Sequence, residues 1–204
     1  MKYILYFVIL IMTNQAIAGD SLYLKVHFLY GSRPKAAYKD TEAKWFGGKL
    51  GGHVGIEADS TQILSFVPTG KHHAFAKNKT PKSAFVIHKP QSFYAILGGN
   101  GSNVKKAIIY IPISDILKLK MDSISAAYRQ ESPYDYAIFG MRCGAAAYDI
   151  LAQLGILPEY SIHKTYKKIF YPKKLRKRLF RLADKNHWFV YTEPGSNTRK
   201  WETN

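Results

Sequence analysis

The sequence predicts an α+β fold, and two observations carry that prediction. Short segments that alternate apolar and polar residues crowd the first half of the chain, whereas segments with apolar residues at helical spacing follow in the second half. No internal repeat and no linker-like composition shift divides them, so one domain is expected.

The elements follow in order. Met1 and Lys2 supply a positive start, Tyr3 to Met12 is an unbroken apolar run, and Ala16-Ile17-Ala18 is a small-x-small cleavage site. Residues 1–18 therefore read as a signal peptide whose apolar run is too short to span a bilayer, and 19–204 as the mature domain. Ser21 to Tyr30 places Leu22, Leu24, Val26 and Phe28 at period two, a strand. Gly31 to Gly52 is loop-like. His53 to Glu57 and Thr61 to Val67 read as a hairpin turning at Ala58-Asp59-Ser60. Ala84 to His88 and Lys106 to Ile111 are further strands. Ser114 is a good N-cap for a helix to about Tyr128. A second helix runs from about Arg142 to Leu154 and stops at Gly155. Pro172 opens a third, to about Ala183. Trp188 to Thr192 adds a strand, and the segment from Pro194 is expected to fray.

Charge and localisation narrow the partners. The chain carries a formal net charge of +16, which favours anionic surfaces. Export makes nucleic acid the least natural of these and leaves an anionic cell-envelope polymer or lipid, with peripheral membrane contact. The expected localisation is secreted or periplasmic, after cleavage near Ala18. No cysteine follows the apolar run, so lipid attachment is not indicated. Ser161 to Ala183 is rich in Lys and Arg and holds no Asp or Glu. Leu175, Leu179 and Leu182 share one helical face there, with Phe180 beside it. The plain reading is a helix packed on the core with a solvated basic side; the functional one is docking to an anionic envelope. His72, His73 and His88 have no cysteine partners for a ligand set, and His72-His73 read as exposed loop histidines. No metal or organic cofactor is implied.

Cys143 is the only cysteine. In an exported chain it has no internal disulfide partner, so the thiol is either packing or a reagent. Cys143, Ala146, Ala147, Ile150, Leu151 and Leu154 make one apolar helical stripe, with Cys143 in the first turn, where the helix dipole favours a thiolate. A lone cysteine on such a face is ordinarily packing. The hairpin supplies the other half of the argument. With a three-residue turn, His53 lies opposite Ser65, and His53, Gly55, Glu57, Thr61 and Ser65 share one face, away from Val54, Ile56, Leu64 and Phe66. The small residues Ala145 to Ala147 let the helix approach the sheet, and Cys143 is expected to look toward the layer carrying His53. An imidazole within reach would take the thiol proton, and the free Cys143 N–H would serve an oxyanion.

Two stretches of sequence carry a family resemblance. Cys143-Gly144, an apolar helix and then Leu154-Gly155-Ile156-Leu157-Pro158 resemble the nucleophile helix of NlpC-type cell-wall peptidases, which have a papain-like fold. His53-Val54-Gly55-Ile56-Glu57, then Leu64 to Gly70, resemble their histidine hairpin. The histidine precedes the cysteine here, as in the circularly permuted branch that includes lecithin:retinol acyltransferase-like proteins. The resemblance implies an antiparallel sheet packed against a nucleophile-bearing helix, with Cys143 as nucleophile and His53 as base. It puts Ser65 at the position that orients the imidazole; Glu57 and Gln62 are substitutes. Peptidase members often carry Asp before the cysteine, whereas this chain has Arg142, which suits an anionic group. Tyr134 and Tyr136 fall where family members place a cleft aromatic. The implied activity is cysteine hydrolysis of an amide or ester in a wall peptide or lipid. Its rivals are lipid acyl transfer or deacylation, and an inactive envelope-binding protein of the same fold.

Overall fold

A computed structural model describes residues 22–32, 52–59, 61–70, 73–76, 82–97, 104–195, 198–199 and 202. The signal-peptide reading and most of the loop read between Gly31 and Gly52 lie outside these residues.

Six strands form one antiparallel sheet: β1 (Leu22–Leu29), β2 (His53–Asp59), β3 (Gln62–Pro68), β5 (Ser83–His88), β6 (Lys106–Ile113) and β8 (Val190–Glu193), in the order β5-β3-β2-β1-β6-β8. A separate parallel pair joins β4 (His73–Phe75) to β7 (Ala137–Phe139). Five helices accompany them among the described residues: α1 (Pro90–Leu97), α2 (Asp115–Gln130), α3 (Cys143–Gln153), α4 (Ile162–Lys168) and α5 (Pro172–Asn186). The α+β class expected from the sequence is therefore the observed one.

Strand alternation gives the large sheet two unlike faces. Leu24, Val26, Phe28, Val54, Ile56, Leu64, Phe66, Ile109 and Ile111 join the main core with residues of α2, α3 and α5. The opposite face carries Leu29 and Ile63, which pack with Phe93 of α1 and Val104 in a small second cluster. Each buried aliphatic side chain contributes roughly 1.5–3 kcal/mol, so the first face dominates the stability. Ser114 caps α2 by accepting from the Leu117 N–H at 3.3 Å. Pro172 opens α5, and the helix ends at His187 with φ +56°. Leu175 and Leu179 are buried, so α5 packs on the core as its apolar stripe predicts.

Several local expectations need correction. The hairpin is tighter than a three-residue turn would make it: Gly55 lies opposite Ser65 and Glu57 opposite Ile63, with a bulge between Glu57 and Asp59. A shift of two residues preserves the face of every side chain, which is why the alternation still holds. The segment from Pro194 is not simply frayed. Thr198 bridges to Ser32, and Glu202 is fully buried. His73 is not a loop histidine but a member of β4, with its Nδ1 2.7 Å from the buried Asp135 carboxylate; His72 lies outside the described residues.

Candidate functional site

Cys143 opens α3, with Arg142 as the residue that precedes the first turn. Gly144 follows because a side chain there would strike α5: a Cβ would lie 3.2 Å from the Pro172 Cα and N. The two helices thus meet at the cysteine end of α3. The thiol is 4 % exposed. Burial is the largest influence on it and pushes its pKa up; the Arg142 guanidinium, the Val54 and Gly144 N–H groups and the Tyr136 hydroxyl pull it back. The sulfur is therefore surrounded by donors suited to negative charge, in a setting dry enough to keep it protonated.

Val54 is the residue after His53, so the thiol sits beside the backbone of the histidine strand. The β2–β3 ladder stops at Gly55–Ser65, whereas β3 stays paired with β5 as far as Pro68 and Ser83. The two strands therefore part at His53 and Val54, and the sulfur lies at this fork. The imidazole turns the other way. Its ring packs on Phe93 with centroids 5.7 Å apart, on the face opposite the main core that holds Cys143. Cys143 thus looks toward the layer carrying His53, as expected, but the imidazole it was expected to meet packs on Phe93 instead. The physical reason is α1, which the sequence reading did not include. Gly55 leaves room for Phe93, since a Cβ there would come 2.7 Å from the Phe93 ring and 2.4 Å from Ile63.

His53 is 7 % exposed, and its pKa is pushed down to about 3, by burial first and by the His88 imidazole second. Among the described residues its Nε2 has no hydrogen-bond partner, and neither has Ser65 Oγ. Both lie on the same sheet face. Buried polar atoms left without partners are uncommon, and a functional role is one of the reasons they persist. Glu57 is engaged elsewhere: it pairs with Lys25, and its Oε2 lies 2.9 Å from His27 Nε2. His27 Nδ1 in turn meets the Tyr94 hydroxyl at 2.6 Å. Gln62 starts β3 and shares a pocket with Ile56 and Leu64, on the face away from His53.

The aromatic positions divide. The Tyr136 hydroxyl faces the sulfur, and its ring stacks on Phe66 with centroids 5.2 Å apart. Tyr134 packs edge-on against Phe66 and lines a cavity of about 1230 Å³ together with Asp135, Gly140 and Met141. Met141 is the one lining residue that lies within two positions of Cys143 in sequence; Cys143 itself does not line the cavity. Arg142 lies over Phe170, its guanidinium carbon 4.2 Å from the ring centroid. Among the described residues no group of three or more His, Cys, Asp or Glu side chains could hold a metal ion, and no helix is long and apolar enough to cross a membrane. No family model, curated protein or solved structure matches the chain.

Proposed function

We propose that the chain is an exported cysteine hydrolase of permuted papain-like build, acting on an amide or ester of a cell-envelope molecule. One observation carries the reading: the Cys143 sulfur meets the Val54 N–H at the fork of β2 and β3, one residue from a histidine whose Nε2 has no partner among the described residues. In the reaction His53 takes the thiol proton as the sulfur attacks the carbonyl carbon. The leaving amine or alcohol then takes that proton, and water hydrolyses the thioester to return the thiol. Val54 N–H, Gly144 N–H and the Tyr136 hydroxyl are donors close enough to favour negative charge at the sulfur or the adjoining oxyanion. Reaction requires the imidazole to leave Phe93 and enter the fork. His53 is the first residue of β2, paired with Leu29 of β1 but no longer with β3, so its backbone is held on one side and must turn for the ring to change face.

The bond class extends to lipid esters, and with an alcohol or amine in place of water the same thioester gives acyl transfer. Turnover of muropeptides against phospholipids by the purified protein separates the two. Loss of turnover in Cys143→Ala supports the hydrolase; full turnover in that variant overturns it.

A second reading has an observation of its own. The thiol is sealed and its pKa raised, and the imidazole lies on the other face. These features suit an envelope-binding protein of the same fold in which Cys143 is packing. That reading places the contact on the basic outer side of α5, where Lys174, Lys177 and Arg181 point away from the buried Leu175 and Leu179. It requires an unreactive thiol together with salt-sensitive sedimentation with wall or anionic vesicles.

A further inference from the structure

Two charged side chains lie inside the protein beside the start of β2. Glu202 is 0 % exposed and Arg176 1 %. Glu202 Oε2 is 2.6 Å from Arg176 Nη2, and its Oε1 accepts from the Gly31 N–H at 3.0 Å. The Arg176 guanidinium carbon lies 3.5 Å over the Tyr30 ring centroid, which fixes its plane. The cradle has more donors than its occupant uses: Arg176 Nη1 is buried and has no partner among the described residues. Burying two opposite charges costs desolvation that an apolar pair would avoid, so a pair of this kind is weak evidence of a stability device.

The occupant comes from the segment that returns to Gly31 and Ser32. Arg199 N–H donates to Gly31 carbonyl at 2.9 Å and Glu202 N–H to Arg199 carbonyl at 2.9 Å, and Thr198 bridges to Ser32. The carboxylate borders the histidine strand. A Cβ on Gly52, the residue before His53, would lie 3.3 Å from Glu202 Oε1 and 3.2 Å from Gly31 N. The same helix that supplies Arg176 touches Gly144 through Pro172.

We propose that Arg176 and the Gly31 N–H form a binding site for the carboxylate of a peptide-like ligand, and that Glu202 occupies it as a tethered substitute. The site needs a planar, bidentate-capable cation and a neighbouring N–H, which is the geometry a carboxylate takes. A tethered carboxylate competes at an effective concentration in the millimolar range, so a free ligand must displace it. Assigning this ligand to the substrate of Cys143 rests on the hydrolase reading; the site itself does not.

The test measures binding of N-acetylalanine by calorimetry to the full-length protein, to Glu202→Ala and to Arg176→Met. Its neutral amide and inorganic phosphate are run beside it. The site predicts that N-acetylalanine binds Glu202→Ala at least ten-fold more tightly than the wild type, that the amide does not bind, and that Arg176→Met binds neither. Equal affinity in wild type and Glu202→Ala, equal binding of acid and amide, or a response to phosphate alone overturns it. If Glu202→Ala does not fold, Glu202→Gln removes the charge with little change of shape, and the same comparison applies. Repeating the binding in Cys143→Ala separates the two proposals: the affinities stay as they were even if the thiol proves inert.

Discussion

Cys143 reaches the strand of His53 from the far side of the sheet: its sulfur rests at the Val54 N–H, while the His53 ring lies against Phe93. On the hydrolase reading, backbone adjacency and side-chain opposition at one strand end define what must move, and they set the predictions that follow.

The first concerns pH. His53 titrates at about 3 in the folded chain against a usual 6.5, so between those values the unfolded state binds more protons than the folded one. Stability rises with pH through that window and is lost as pH falls from 6.5 toward 3, at up to about 1.4 kcal/mol per pH unit. His88, also depressed by burial, adds in the same direction. Urea unfolding at several pH values should give a shallower slope for His53→Gln than for wild type.

Gly55 is a packing requirement as well as a strand position. Adding a methyl group brings it to 2.4 Å from Ile63 and 2.7 Å from Phe93. Gly55→Ala should destabilise the protein by roughly 1–3 kcal/mol, read as a lower urea midpoint. It should also loosen α1 and make the His53 ring more accessible, measured by hydrogen exchange across Pro90–Leu97.

Arg142 is the first of the influences that hold the thiol pKa down against burial. Arg142→Met should shift the alkylation profile of Cys143 to higher pH and slow labelling at neutral pH. Tyr136→Phe, which removes a donor facing the sulfur, should shift it in the same direction by less. An unchanged profile in both variants would mean that these groups do not sense the sulfur in solution.

The basic face should act through long-range charge. Binding to anionic vesicles or wall fragments is expected to weaken several-fold between about 50 and 300 mM salt, since the screening length falls below about 10 Å across that range. Reversing charge at Lys177 and Arg181 should weaken it further without altering the fold, because neither is among the buried residues of α5.

Where two periodicities were plain, the sequence was legible. Leu24, Val26 and Phe28 announced β1, Ser114 announced the start of α2, and Pro172 and Leu175 announced α5, because each signal is local. The faces of His53 to Glu57 and of Leu64 to Phe66 were also readable, since a two-residue register shift leaves alternation intact; Gln62 and Ile63 broke the pattern, and Thr61 lies in the turn. The rest depended on long-range packing. α1 is short and mixed, and only the space above Gly55 explains why Phe93 covers His53. β4 pairs in parallel with β7 across a long sequence separation, which no local pattern marks; Asp135, holding His73, gave no signal alone. Glu202 looked like an exposed residue of a polar tail, and its partner Arg176 like one more charge on a basic helix. Only the fold puts them together. At the site, the sequence named Cys143, His53, Ser65 and Tyr136 as candidates and gave the face of His53, but not that Cys143 meets the strand from the opposite face.

The central claim is that Cys143 reacts with the help of His53. Labelling of folded protein with an acylating thiol probe, followed by mass spectrometry of the Cys143 peptide, tests it most directly. The account predicts labelling of native wild type, at least ten-fold slower labelling of His53→Ala, and none of Cys143→Ala. Labelling that appears only after denaturation, or that proceeds equally fast without the imidazole, contradicts it.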